Sequence, residues 1–190
     1  MTTTYNEIQL DALKELGNIG SGNAATSLST MLNTPVDLEV TKVGMSTLDN
    51  ALQDYPRANE VSVIHGIIGN LQGFMWLSLE KDDCDFLASI IACGMQVDSL
   101  LVLPEVSNIL FGSYLSALSN MFSMTWELEP PDFKDVRDYI NTRKDMKIDR
   151  EHMLFIRNNL KINNRDIGCL INMVLNDESI AKLLNVCGVA

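Results

Sequence analysis

A chain of 190 residues, 46% hydrophobic and 21% charged, can bury a sizeable core as one ordinary domain or two small ones, and its composition is not that of a disordered segment. The formal charge of −11 argues against nucleic acid and anionic membrane surfaces as partners, since both require an excess of Lys and Arg. The start, Met1 to Tyr5, has no basic region followed by an apolar one, and no apolar run reaches about 18 residues, so a soluble, cytoplasmic protein is expected.

In chain order, residues from Asn6 to Leu32 read as a helix with Leu13, Leu16, Gly20, Ala24, Leu28 and Met31 on one apolar stripe, ended by Asn33-Thr34-Pro35. Val36 to Val43 alternates as a half-buried strand, and the stretch from Asp49 to Asn59 reads as an exposed loop. Val61 to Ile68 and Leu71 to Leu79 form a hairpin across Gly69-Asn70, and Asp82 to Ala92 is a helix closed by Gly94. The second half repeats the order. A helix from Leu103 to Met124 tolerates Pro104 only in its first turn, and Trp126 to Glu129 is a strand followed by Pro130-Pro131. A charged segment covers Phe133 to Glu151. Met153 to Ile162 and Ile167 to Leu175 pair across Asn163-Asn164, and a helix capped by Asp177 runs to Val186 and stops at Gly188. The expected fold is α+β: one domain over residues 1–190, built from two helix–strand–hairpin–helix halves at about 6–95 and 100–190. Pseudo-two-fold symmetry, a shared antiparallel sheet and a linker near Met95 to Leu100 complete the reading.

The halves share more than their order. Laid over Glu15–Leu32, the segment Glu105–Phe122 repeats Glu, Asn, Ile, Gly, Leu, Ser and Met in register. Packing requires neither Glu nor Asn, yet Glu15 and Asn18 return as Glu105 and Asn108. Gly20-x-Gly22-x-x-Ala25 matches a dinucleotide fingerprint, but such a loop must follow a strand, and the residues before it are helical in pattern. The glycines therefore need another reason, each costing roughly 1 kcal/mol against Ala inside a helix. Close packing between the two long helices is one reason. Clearance for a partner is the other, favoured for Gly22 and Gly112, which each lie four residues after an Asn.

Asp11, Glu15, Asn18 and Gly22 follow helical spacing on the face opposite the apolar stripe and so point to solvent. A carboxylate and an amide about 5–6 Å apart make no nucleophile-and-base set. The carboxylate can hold a cation on another molecule, and the amide can orient a water. Cys84, Cys93, Cys169 and Cys187 show no CxxC spacing, with only His65 and His152 to join them, so reduced core thiols and no metal site are expected. Cys93 and Cys187, each before a glycine, read as one buried position in two copies.

Glu-x-x-Asn in a long helix, Gly17-Asn18-Ile19-Gly20-x-Gly22-Asn23-Ala24-Ala25-Thr26 in the first half, and Asn108-Ile109-Leu110-x-Gly112-Ser113-Tyr114-Leu115 in the second resemble the CheC, CheX and FliY phosphatases of bacterial chemotaxis, and two copies without an appended switch domain resemble the CheC type. The resemblance implies hydrolysis of the phospho-aspartate of a CheY-type receiver. Asn18 or Asn108 would orient the attacking water, and Glu15 or Glu105 would pair with the receiver's lysine. Asp11, Gly22 and Gly112 would serve docking. It implies no cofactor on this chain, the Mg²⁺ belonging to the receiver, and the deamidase CheD as a further partner. The alternative is an adaptor that docks receiver or CheD without turnover. Two positions depart from the family pattern: Thr41 stands where a proline is expected, and Leu101 where Asp or Ser is expected.

Overall fold

A computed structural model of the chain describes residues 5–52, 60–92, 97–149 and 153–189. Helix α1 (Glu7–Leu32) starts at a capping box in which the Asn6 side chain accepts from the Gln9 amide and the Gln9 side chain accepts from the Asn6 amide. It ends where Asn33 turns left-handed at φ 48°. Its buried stripe is the expected one, with Leu32 taking the place of Met31, which is half-buried. There follow β1 (Val36–Ser46), α2 (Leu48–Leu52), β2 (Glu60–Gly69), β3 (Gly73–Glu80), α3 (Lys81–Ile91), α4 (Ser99–Phe122) and β4 (Trp126–Leu128). The chain closes with α5 (Val136–Thr142), a one-turn 3-10 helix (Lys144–Met146), β5 (Met153–Ile162), β6 (Arg165–Leu175) and α6 (Asp177–Val186).

The six strands among the described residues form one antiparallel sheet in the order β1-β5-β6-β3-β2-β4. The order reads the same from either end if β1 and β4, β5 and β2, and β6 and β3 change places. Each half's first strand pairs with the other half's hairpin, so neither half completes its sheet alone. Helices α1 and α4 pack against each other on one face and enclose the main core with Leu13, Leu16, Leu28, Leu110, Phe111, Tyr114 and Ile156. Gly20 is the notch at their crossing: a Cβ there would lie 2.5 Å from the Tyr114 ring. Three residues on, the Asn23 side chain donates to the Ser113 carbonyl at 2.6 Å. The equivalent positions reverse the sizes, with Leu110 for Gly20 and Ala24 for Tyr114.

Several expectations are corrected. Helix α4 begins at Ser99, not Leu103, because Asp98 caps it through the Leu100 amide at 3.0 Å; the expected linker therefore ends in helix, and residues 93–96 lie outside the described part. Pro104 is thus the sixth helical residue and not a first-turn one. By length and composition α4 is apolar enough to cross a membrane. Here Leu103, Val106, Leu110, Phe111, Tyr114, Leu115 and Leu118 are instead buried in the core. The first hairpin turns over Asn70-Leu71-Gln72, a longer loop than expected, because Leu71 is buried and the Asn70 carboxamide oxygen accepts from the Thr125 amide at 2.7 Å. The second turn is as read, Asn163 and Asn164 both having positive φ. Asn176, not Asp177, caps α6, accepting from the Ser179 amide.

The charged segment also turns apolar side chains inward. Val136, Tyr139, Ile140 and Met146 are buried with Leu48, Ile64, Phe74, Trp76, Met153, Phe155 and Val174 in a second core on the sheet's other face. Cys84 is buried, but Cys169 and Cys187 are half-buried, so the common buried position read for Cys187 does not hold; Cys93 lies outside the described residues. The same is true of His152, of Gly94 and of residues 53–59; the start of the loop expected over Asp49 to Asn59 is instead helical, within α2.

The notch at Gly20 fixes a stability test. Gly20→Ala is expected to lower stability by roughly 1–3 kcal/mol, because overpacking against Tyr114 outweighs the gain in helix propensity. Denaturant unfolding of the intact chain would check this.

Candidate functional site

The face of α1 turned away from the core carries Glu7, Asp11, Glu15, Asn18 and Gly22, all exposed. The corresponding face of α4 carries Leu101, Glu105 and Asn108, exposed, and Gly112, half-buried. Every site residue expected from the sequence lies on one of these two stripes, which approach each other near the Asn23–Ser113 bond. Burial of one side of each helix holds the pairs in place: Leu13, Leu16 and Gly17 lie under Glu15 and Asn18, and Leu103, Val106 and Ser107 under Glu105 and Asn108.

The glycines divide between the two roles offered for them. At Gly17 a Cβ would meet Ile156 and Val40 side chains at 3.0 and 3.1 Å, so α1 lies close upon β1 and β5, and Gly20 is filled by Tyr114. At Gly22 a Cβ meets nothing within 4 Å, and at Gly112 only Leu128 at 4.0 Å. Packing accounts for the first two. The last two leave helix backbone bare beside each Asn.

Beside the first pair the surface is hollowed. Asn18, Gly22, Asp37, Leu38, Glu39, Asn159 and Lys161 line an open depression of about 340 Å³. The sequence reading missed the strand residues of this wall, since only the β1–β5 register, Asp37 opposite Lys161 and Glu39 opposite Asn159, brings them to the helix. The first stripe is acidic. The second is flanked by apolar side chains: Leu101 is 76% exposed, and Leu100 and Phe133, 42% and 50% exposed, line a hollow with Val61.

Both departures from the expected pattern find a place. On β1 the register slips by one between Val40 and Lys42, leaving Thr41 in a bulge. On the other edge, Leu128 pairs with Ile67 and Asp132 with Ile64, so one extra residue is accommodated over Glu129-Pro130-Pro131. Thr41 and Pro131 occupy equivalent places, outside regular pairing, where a proline loses no ladder hydrogen bond. Threonine there keeps the same backbone path, its hydroxyl donating to the Arg157 carbonyl at 3.3 Å. Leu101 lies four residues before Glu105 on an uninterrupted helix, so Glu105 is not in the first turn.

Among the described residues no group of three His, Cys, Asp or Glu side chains could hold a metal ion. The arrangement offers acids and amides on a convex helical surface, suited to engaging another macromolecule's site.

A model of the CheC-like family matches the chain twice, over residues 8–40 and 102–134, each match containing one Glu-x-x-Asn pair. The flagellar motor switch phosphatase FliY of Bacillus subtilis is 30% identical over 171 residues, covering 83% of this chain and 43% of FliY. The CheY-P phosphatase CheC of the same organism is 30% identical over 126 residues, 60% of each chain. The chain thus spans about half the length of the curated relatives it matches. Among solved structures, Thermotoga maritima FliY superposes with a TM-score of 0.77 at 20% identity, covering 99% of this chain and all of that one. CheX in the CheX–CheY–BeF3–Mg²⁺ complex from Borrelia burgdorferi gives 0.54 at 18% identity over 84% of this chain and 97% of its own. FliM in the FliG–FliM complex from H. pylori gives 0.70 at 12% identity over 95% and 100%. These structural likenesses establish the fold. The chain belongs to the CheC-like family, within the group that includes CheC, CheX and FliY.

Gly22→Ala is expected to raise stability by up to about 1 kcal/mol, opposite in sign to Gly20→Ala, since the new methyl meets open space within a helix. Thermal unfolding of both variants under one condition checks the division.

Proposed function

We propose that this chain hydrolyses the phospho-aspartate of a CheY-type receiver, at two places. The observation that carries the reading is the occurrence of an exposed Glu and Asn, three residues apart, on the outward stripe of each long helix, with bare glycine backbone four residues beyond each Asn. The naming of two curated relatives as phosphatases, one of them of CheY-P, and of a CheX–CheY complex supports the substrate class.

In this reading the amide of Asn18 or Asn108 enters the receiver's site and orients a water in line with the acyl phosphate. Glu15 or Glu105 accepts a hydrogen bond from the receiver's lysine and fixes the approach. Gly22 and Gly112 admit the partner's backbone, and Asp11 extends the contact of the first pair. Mg²⁺ resides on the receiver, and this chain supplies no cofactor. Acceleration arises from positioning and electrostatics, as in phosphoryl transfer generally. The two halves, residues 6–95 and 100–190, act within one domain in the cytoplasm.

Decay of a receiver phosphorylated with acetyl phosphate is the test. Asn18→Ala and Asn108→Ala should each remove one contribution, and the double variant should lose roughly 10²-fold, the scale of a lost positioning contact. A double variant as active as the natural chain would overturn the reading. A second reading is favoured by the likeness to FliM in its complex with FliG: a docking module without turnover. It expects phosphorylation-dependent binding that the Asn changes leave untouched, with no faster decay.

The flanks of the two pairs predict different salt responses. The acidic first stripe should lose activity as salt is raised across about 0.05–0.5 M, the range over which screening of exposed charges becomes strong. The second pair, beside Leu100, Leu101 and Phe133, should change less. Assays of Asn108→Ala and Asn18→Ala across that range compare them directly.

A further inference from the structure

Beneath the second pair lies an imidazole cut off from solvent. His65, on β2, is 1% exposed, with Nδ1 2.9 Å from the Glu129 carbonyl and Nε2 2.9 Å from the Ser107 hydroxyl. The edge of the His65–Phe111 ring pair, at 5.4 Å between centroids, closes the site. Ser107 is fully buried, immediately before Asn108, and its Oγ lies 3.0 Å from the Pro104 carbonyl, immediately before Glu105. The chain Glu129–His65–Ser107–Pro104 therefore ends on the turn that carries both residues of the second pair.

Its protons can be assigned. Carbonyl oxygens only accept, so Nδ1 must donate to Glu129; the opposite neutral tautomer would set two lone pairs 2.9 Å apart. With the ring neutral, Nε2 is an acceptor and takes the single Ser107 proton. With the ring protonated, Nε2 donates to Ser107, whose hydroxyl is then released to donate to the Pro104 carbonyl. That carbonyl already serves the helix ladder, and a serine bonding back to it bends a helix. Protonation of one ring thus reverses the chain and alters the turn from Pro104 to Asn108.

The equivalent place beneath the first pair holds an amide. Ile67 pairs with Leu128 as Leu160 pairs with Leu38, and two residues before them stand His65 and Asn158. Asn158, 2% exposed, accepts from the Ser21 hydroxyl at 2.5 Å, and Ser21 precedes Gly22. Both halves join a buried polar strand residue to a helix serine, but only one of the two strand residues can change charge.

We propose that His65 is a positioning residue for the second pair, holding the Pro104–Asn108 turn through Ser107, and that acidification therefore weakens the second pair relative to the first. The proposal rests on the reading of Glu105 and Asn108 as a catalytic pair.

The groups facing His65 are few. Across β3 lies Met75, and the adjoining edge segment presents only the Glu129 carbonyl. The Glu129 carboxylate and the Tyr139 hydroxyl lie at Gly66, both bonded to Arg143. Asp132, paired at Ile64, bonds to Lys134, and Asp83 of α3 is held by Arg165 and the Gly168 amide. Glu105 points to solvent from the far side of α4. Burial pushes the imidazole below its ordinary value, partly offset by its bond to the Glu129 carbonyl, so the ring is neutral at neutral pH. The unfolded chain binds that proton more readily, so this contribution to stability is complete above about pH 6.5 and is lost as pH falls towards the folded value.

The experiment compares pH profiles of Asn18→Ala, leaving the second pair, and Asn108→Ala, leaving the first, on one receiver phosphorylated with acetyl phosphate. Their ratio cancels the receiver's own titration. We expect it to stay level above about pH 6.5 and to fall several-fold as the pH is lowered below that value through the titration of the folded imidazole, and to become flat when His65→Asn, the other half's residue, or Ser107→Ala is added. A constant ratio, or a fall that survives both changes, overturns the proposal. Imidazole nitrogen NMR on the full chain gives an arm independent of activity: the Nδ1–H tautomer at neutral pH, with the Asn108 amide resonance moving at the same midpoint. An Nε2–H tautomer or an unmoved Asn108 amide overturns it equally. If neither Asn variant hydrolyses the receiver at any pH, the phosphatase reading has failed, and the NMR arm alone decides the positioning claim.

Discussion

The crossing of α1 and α4 is the constraint on which the rest depends. Two long helices can share the sheet's face only if their backbones approach, and Gly20 provides the approach by leaving room for the ring of Tyr114. Once that contact and the Asn23–Ser113 bond fix the rotation of each helix about its axis, the outward stripes are fixed as well. Glu15 and Asn18 face solvent because Leu13, Leu16 and Leu28 do not. The candidate face is therefore a consequence of core packing and needs no loop to build it.

The sheet makes the two halves interdependent. Because β1 pairs with β5 and β4 with β2, each candidate pair stands over strands from both halves. The bulges at Thr41 and near Pro131 stand at equivalent places on the two edges, which suits positions where strand curvature and freedom from pairing matter more than residue identity. An edge strand can exchange proline for threonine at such a place without altering what the helix presents.

Much of this was legible in the sequence because it is periodic. The helical stripes, both hairpins, the Asn163-Asn164 turn and the exposed placement of the two Glu–Asn pairs follow from spacing alone. What was not legible depends on contacts between distant segments. The start of α4 was misplaced because Pro104 suggested a first turn, while the cap at Asp98 allows the proline to sit further in. The segment after Phe133 read only as charged because its charges outnumber its apolar residues, yet Val136, Tyr139 and Ile140 recur at helical spacing and cover a second core. The continuous apolar runs of β2 and β3 were the available signal, since a strand buried on both faces does not alternate. The strand wall beside Asn18 could not be read without the β1–β5 register.

A frame with two equivalent places lets the places diverge while the frame persists. The stripes keep Glu and Asn in common, but what supports and surrounds them differs. Under the first pair an amide and a hydroxyl meet, neither able to titrate near neutral pH; under the second pair an imidazole takes the amide's position. Acids extend the first stripe, whereas leucines and Phe133 flank the second. All these differences lie one layer beneath or one turn beside the shared pair, where they can change affinity and pH response without removing the amide and carboxylate themselves. On the reading proposed above, two copies of one chemistry with different supports would respond to different conditions, and such a division would give the chain a reason to keep both pairs.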